Sequence, residues 1–249
     1  MTSFHLGIWD VVLLVAVSFQ ATVIAYVHEP RWKAFVLTLP IPFTMAVMSL
    51  GRTVDATNVL GMSALLLYTH AVRLLHQRKR VHIILSIALG VAGYCVIGGL
   101  LAARLPSDDT AFYVCAGLTV LLALILYVRT PHRVEPGHRS PLPFWLKLPA
   151  VALVVVGLIL IKQTLGGFMT MCPMVGVVAA YEARHSLWTI SRQIPVLMLT
   201  MIPFMIVCRV MQERIGLGLS LVAAWSIFIL VLIPLTARMW RVQEVSNAD

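Results

Sequence analysis

Apolar residues run through this chain in stretches of about 20, each closed by a short polar or basic segment. Nine such runs stand out, near 8–27, 33–51, 54–75, 81–103, 110–128, 144–161, 166–183, 188–208 and 215–237. A hydrocarbon core about 30 Å thick is crossed by roughly 20 helical residues. Helices are required, because unpaired backbone groups in lipid cost several kcal/mol each. The pattern predicts an all-α polytopic transmembrane bundle of about nine spans. The runs at 33–51 and 166–183 are short and interrupted by Pro or Gly.

Composition agrees. Charged residues make up 12% of the chain and its mean hydropathy is +0.92, against about 25% charged in a soluble domain. The first residues, MTSFHLGIWDVV, carry no basic segment and no small-residue cleavage site, so the first run reads as a retained helix. The net charge of +9 gains meaning from its distribution. With alternating sides, 14 of the 19 Lys and Arg fall on one face and 5 on the other. The basic face marks the cytoplasm, giving an N-out, C-in topology. The cluster RLLHQRKRVH (73–82) belongs to that face, where it suits anionic lipid and gives no reason to invoke nucleic acid. The four cysteines all lie within apolar runs and read as small buried side chains.

The longest polar connection, TPHRVEPGHRSPLP (130–143), divides the chain. A shift of 115 residues pairs Leu50, Gly51, Gly61, Ala64 and His70 with Leu165, Gly166, Gly176, Ala179 and His185. This match suggests two parallel four-helix repeats in one membrane domain. A leading helix (1–32) would precede repeat 1 (33–128), a cytoplasmic linker (129–143) and repeat 2 (144–240). In the second unit, Lys147 opens an apolar helix, Gly166-Gly167 follow, and Cys172-Pro173 start another core helix. Pro203, Gly216 and Trp225 mark the last two helices. In these landmarks the unit resembles the GlpM-like family of four-helix bacterial membrane proteins, with Cys172 where that family has an aromatic residue. The resemblance implies architecture and a bacterial inner membrane, and supplies no mechanism.

Polar residues inside the runs are the candidates for function. Gln20 sits mid-helix, where an amide either joins two helices or lines a wet cavity. Arg52 and Asp55 are spaced to form an exposed ion pair ahead of Asn58. Asn58 is matched by the repeat to Pro173, so a polar group in one half would face a broken helix in the other. Lys162 and Gln163 close the sixth run. The lysine either snorkels to headgroups or, with Gly166 and Gly167, meets an anion. The expected pathway comprises Gln20, Asn58, Gly61, Lys162, Gln163, Cys172, Pro173 and Gly176. His70, Glu182 and His185 form the expected gate or proton-coupling group, since Glu182 and His185 share a helical face and a histidine titrates near neutral pH.

No H-E-x-x-H, G-x-S-x-G or G-x-x-x-x-G-K-[ST] pattern occurs, so no catalytic residue, metal ligand or cofactor is expected. The preferred reading is a small secondary transporter of the bacterial inner membrane moving a small solute, with proton coupling as an option. A membrane-embedded lipid-modifying enzyme or lipid translocase is the alternative, and a scaffold protein the third. Expected partners are membrane lipids, anionic ones at the cytoplasmic face, and a solute whose identity the sequence does not give, with a homodimer allowed.

Overall fold

Prolines and glycines, more than apolar length, decide where the helices of this chain begin and stop. The computed structural model describes residues 7–131, 135, 149, 152–153, 155–157 and 159–246. Most of the linker, Lys147 and the start of the run at 144–161 lie outside the described residues; those described between 149 and 160 are helical. The described residues form helices and connecting turns without strands.

The first helix, α1 (Ile8–Tyr26), is unbroken. The second run is split into α2 (Pro30–Thr38) and α3 (Ile41–Leu50). Pro40 has no N–H for the Val36 carbonyl, and the residue before it is pushed out of the helical region. Leu39 accordingly takes ψ 128°. Gly51, at φ 61°, closes α3 in the left-handed conformation that glycine adopts most readily.

Helix α4 (Ala56–Arg73) starts on a reciprocal cap. The Thr57 N–H donates to Asp55 Oδ1 (2.8 Å), and the Asp55 N–H donates to Asn58 Oδ1 (2.8 Å). Asp55 is therefore buried and turned onto its own helix, which corrects the expected exposed Arg52–Asp55 pair. A π turn, Leu74–Arg78, extends α4 before α5 (Ile83–Ala102) and α6 (Asp109–Arg129).

The run at 166–183 is no single helix. A one-turn helix α7 (Lys162–Leu165) passes into a 3₁₀ segment, Gly166–Met171, then into α8 (Met174–Glu182), with a 55° bend between the two parts. Cys172 is extended (ψ 136°) ahead of Pro173, as the residue before a proline prefers. The final helix α9 (Leu187–Ser246) is interrupted at Gly216, whose φ 78° and ψ 162° are not helical.

Among the described residues six helical stretches are long and apolar enough to cross a membrane, and the bent α7–α8 unit makes seven when counted as one. Exposed leucines, isoleucines and valines cover the outer faces of α5, α6 and α9, as expected of helices bathed in lipid. The chain is thus an all-helical membrane-spanning protein. Among the described residues two large buried apolar clusters fill the interior, one enclosed by α1, α4, α5 and α8 and the other by α3, α4, α6 and α9, and a small third joins Ala34, Ala183 and Ile190.

Candidate functional site

The bent unit from Lys162 to Glu182 is surrounded by α1, α4 and α5, and polar contacts tie it down along its length. At its first end Lys162 Nζ meets the Asp10 carboxylate of α1 and, at 3.2 Å, the Ser49 hydroxyl of α3. Ser49 Oγ and the Gly7 N–H also donate to Asp10. Asp10 is 2% exposed. Lys162 therefore has an internal carboxylate partner, unlike either sequence expectation for it, while Gln163 beside it is exposed.

The 3₁₀ segment then packs against the start of α4. Asn58 Nδ2 donates to Thr170 Oγ1 (3.0 Å) and Gly167 O (3.4 Å), and the Tyr94 hydroxyl of α5 donates to Phe168 O (2.7 Å). A 3₁₀ turn that leaves the α-helical pattern frees carbonyls, and these side chains satisfy them. A Cβ added to Gly167 would lie 2.1 Å from Thr57 Oγ1, and one added to Gly61 would lie 2.9 Å from Met171 Cβ. Both glycines permit backbone approach that no other residue allows.

At the other end, Lys33 at the start of α2 donates to the Glu182 carbonyl oxygen (3.2 Å), and both residues are buried. His185 lies in the exposed turn beyond. The His70 imidazole of α4 bonds the Leu66 carbonyl of its own helix (3.0 Å).

Between these two ends lies a cavity of ≈ 70 Å³. Cys172, Pro173 and Gly176 line it from the bend, Pro40, Pro42 and Phe43 from the α2–α3 break, and Leu65, Tyr68 and Thr69 from α4. Ser191, Leu197 and Met201 of α9 complete the wall, which among the described residues carries no acidic, basic or histidine side chain. The volume suffices for a few water molecules or a handful of heavy atoms.

Of the expected pathway, Cys172, Pro173 and Gly176 meet at this cavity. Asn58 and Gly61 lie behind the 3₁₀ segment and hold it in place. Gln20 lies elsewhere: its Nε2 donates to the Val36 carbonyl (2.7 Å), which lacks the helical bond that Pro40 cannot make and otherwise accepts only the longer Leu39 N–H (3.3 Å). It is an interhelical repair of the α2–α3 break.

Three residues at the site are not marked by any sequence pattern. Asp10 and Lys33 lie near the ends of apolar runs, where charges ordinarily meet headgroups, yet both are buried. Tyr68 lies near the end of a run, where aromatics ordinarily anchor, yet it is fully packed inside, with its hydroxyl unpartnered. A second hollow, of ≈ 240 Å³, lies at the Lys33 end between Arg73, Leu74, Gln77, Arg78 and Trp188, with the Arg73 guanidinium 4.5 Å from the Trp188 ring centroid.

No protein-family model matches the chain, and neither the curated proteins nor the solved structures give a match. The resemblance to GlpM-like proteins thus rests on its quoted landmarks alone.

Proposed function

We propose that this protein is a small permease that carries a solute across the bacterial inner membrane. The carrying observation is a pair of helices broken at prolines in mid-chain, Pro40 and Pro173, whose breaks line one internal cavity. Broken helices lose backbone hydrogen bonds, which is expensive in lipid. Transporters accept that expense where freed backbone groups bind cargo near the membrane midplane. A scaffold would gain nothing from it. A lipid-modifying enzyme would need a groove open to the bilayer, whereas most of the residues around this cavity are buried.

In this reading the chain crosses nine times, N-out and C-in. The α2–α3 and α7–α8 units count once each, the described helix between 149 and 160 once, and α9 twice because of Gly216. A straight helix of the 52 residues from Leu187 to Arg238 would be more than twice as long as the hydrocarbon core is thick. The Asp10–Lys162–Ser49 cluster closes the outer end of the bent unit, and Lys33 with Glu182 the inner end. Glu182, buried between cavity and cytoplasm, is the residue assigned to proton coupling, with His70 and His185 nearby in sequence level. Arg73 and Arg78 at the second hollow suit anionic headgroups.

Access to Cys172 tests the reading without knowing the cargo. In a variant with Cys95, Cys115 and Cys208 replaced by serine, a small membrane-impermeant thiol reagent should modify Cys172 from either side of oriented vesicles. Modification from one side only or from neither, with an engineered loop cysteine labelled normally, would refute alternating exposure of the cavity.

A further inference from the structure

Two helices start inside this bundle, each directly behind a proline. Helix α3 begins after Pro40 and α8 after Pro173, and neither start has a side-chain cap. A helix start leaves its first N–H groups without carbonyl acceptors. In α8 the Met174 N–H reaches the Cys172 carbonyl (2.7 Å) and the Val177 N–H the Pro173 carbonyl (2.8 Å). The Val175 and Gly176 N–H groups between them have no acceptor among the described residues. In α3 the Thr44 N–H bonds the Pro40 carbonyl (2.9 Å), and the Phe43 N–H has no such acceptor. Phe43, Val175 and Gly176 all line the cavity.

A side chain adds to this set independently. The Tyr68 hydroxyl is buried and unpartnered, Tyr68 is 2% exposed, and it lines the same cavity. Its ring atom Cε1 lies 3.5 Å from where a Cβ on Gly176 would stand, which puts the phenol end beside the first turn of α8. The wall therefore offers N–H and O–H donors and two positive dipole ends, with no acidic side chain to oppose an anion and no basic one to balance a second charge. The remaining wall, including Leu65, Leu197 and Met201, is hydrocarbon.

We infer that the cavity binds a short-chain monocarboxylate. Its carboxylate accepts from the Val175 and Gly176 N–H groups and the Tyr68 hydroxyl, and its alkyl chain packs on the leucines and Met201. The start of α3 contributes its positive end from the opposite break. A dianion such as phosphate lacks the cationic partner it would need when desolvated, and an ammonium would find hydroxyl oxygens but no carboxylate to balance its charge. The assignment rests on the permease reading for its purpose, since binding of cargo is what that reading requires of this cavity.

The test is titration calorimetry on the full chain in nanodiscs with three probes of equal length: butyrate, butyramide and butylammonium. Butyrate should bind, butyramide about ten-fold more weakly, the loss of charge-assisted hydrogen bonding, and butylammonium undetectably. Tyr68→Phe should weaken butyrate by about ten-fold, one such bond, while leaving thermal unfolding near wild type, because that hydroxyl has no protein partner. Equal affinity for butyrate and butyramide, tighter binding of the amine, or no butyrate binding overturns the assignment, and the wild-type comparison decides even if the variant misfolds. Failure here with Cys172 reachable from both sides leaves the permease standing and removes only the carboxylate. Butyrate binding with Cys172 reachable from one side keeps the site and removes the permease.

Discussion

Gly167→Ala probes the contact on which the site is built. An added Cβ would stand 2.1 Å from Thr57 Oγ1 and 2.9 Å from both the backbone nitrogen and Oδ1 of Asn58. Thr57 could rotate, but the Asn58 nitrogen belongs to the first turn of α4 and cannot. The 3₁₀ segment must move away instead. Overpacking of this kind costs about 1–3 kcal/mol. The shift also stretches the Asn58–Thr170 bond (3.0 Å) and the Tyr94–Phe168 bond (2.7 Å). Each is worth about 0.6 kcal/mol in a membrane bundle. The expected loss is about 2–4 kcal/mol in total, read by denaturant unfolding of the purified protein in bicelles. Gly117→Ala is the control: Gly117 is exposed on α6 with nothing within 4 Å of an added Cβ, so its change should stay within about 0.5 kcal/mol. Thr57→Ala in the Gly167→Ala background should recover part of the loss and not all of it. Equal stability of the two alanine variants would refute the close docking of the 3₁₀ segment on α4.

Two further outcomes follow from the polar contacts. Gln20→Leu removes the shorter of the two hydrogen bonds to the Val36 carbonyl, leaving the Leu39 N–H at 3.3 Å, and should destabilise by about 0.6–1.7 kcal/mol. In a Pro40→Ala background the loss should shrink, because residue 40 regains the N–H that Val36 lacked; strict additivity in that double-mutant cycle would contradict the repair role. Asp10→Ala should cost about 1–3 kcal/mol, below the 3–5 of a fully buried pair because Lys162 can extend toward the surface. Asp109→Ala, which breaks the Arg209 pair where Asp109 is 71% exposed, should cost less than about 1 kcal/mol. An Asp10 variant no worse than the Asp109 variant would mean that the cluster at the first end is solvated.

What the sequence could disclose depended on whether the physics was local. The α2–α3 break, the bend at Cys172-Pro173 and the stop at Gly51 follow from residues that cannot continue a helix, and each was visible as punctuation in an apolar run. The α4 contact with the bent unit was legible through small residues: Gly61 lies under Met171 and Gly176 beside Tyr68. The repeat match carried part of this, since Gly51 and Gly166 both have positive φ, yet α4 runs on unbroken where its matched segment bends. Illegible were the partnerships made across the fold. Nothing near Asp10 in sequence announces a lysine 152 residues away, and Lys33 near the end of a basic stretch looks like any topology signal. Gln20 was visible as an anomaly, but its meaning required knowing that Val36 lies opposite. Tyr68 was the least legible, because a phenol at a helix end is ordinarily an anchor. Burial with no partner is a property of its surroundings, and those surroundings are two helix starts with donors to spare. Gln20 adds a donor to a Val36 carbonyl otherwise held only by the longer Leu39 bond, whereas the N–H groups of Phe43, Val175 and Gly176 have no acceptor among the described residues. The α2–α3 break is supported from within the chain on its acceptor side; in the proposed carboxylate site the donors at the cavity are answered by the bound anion.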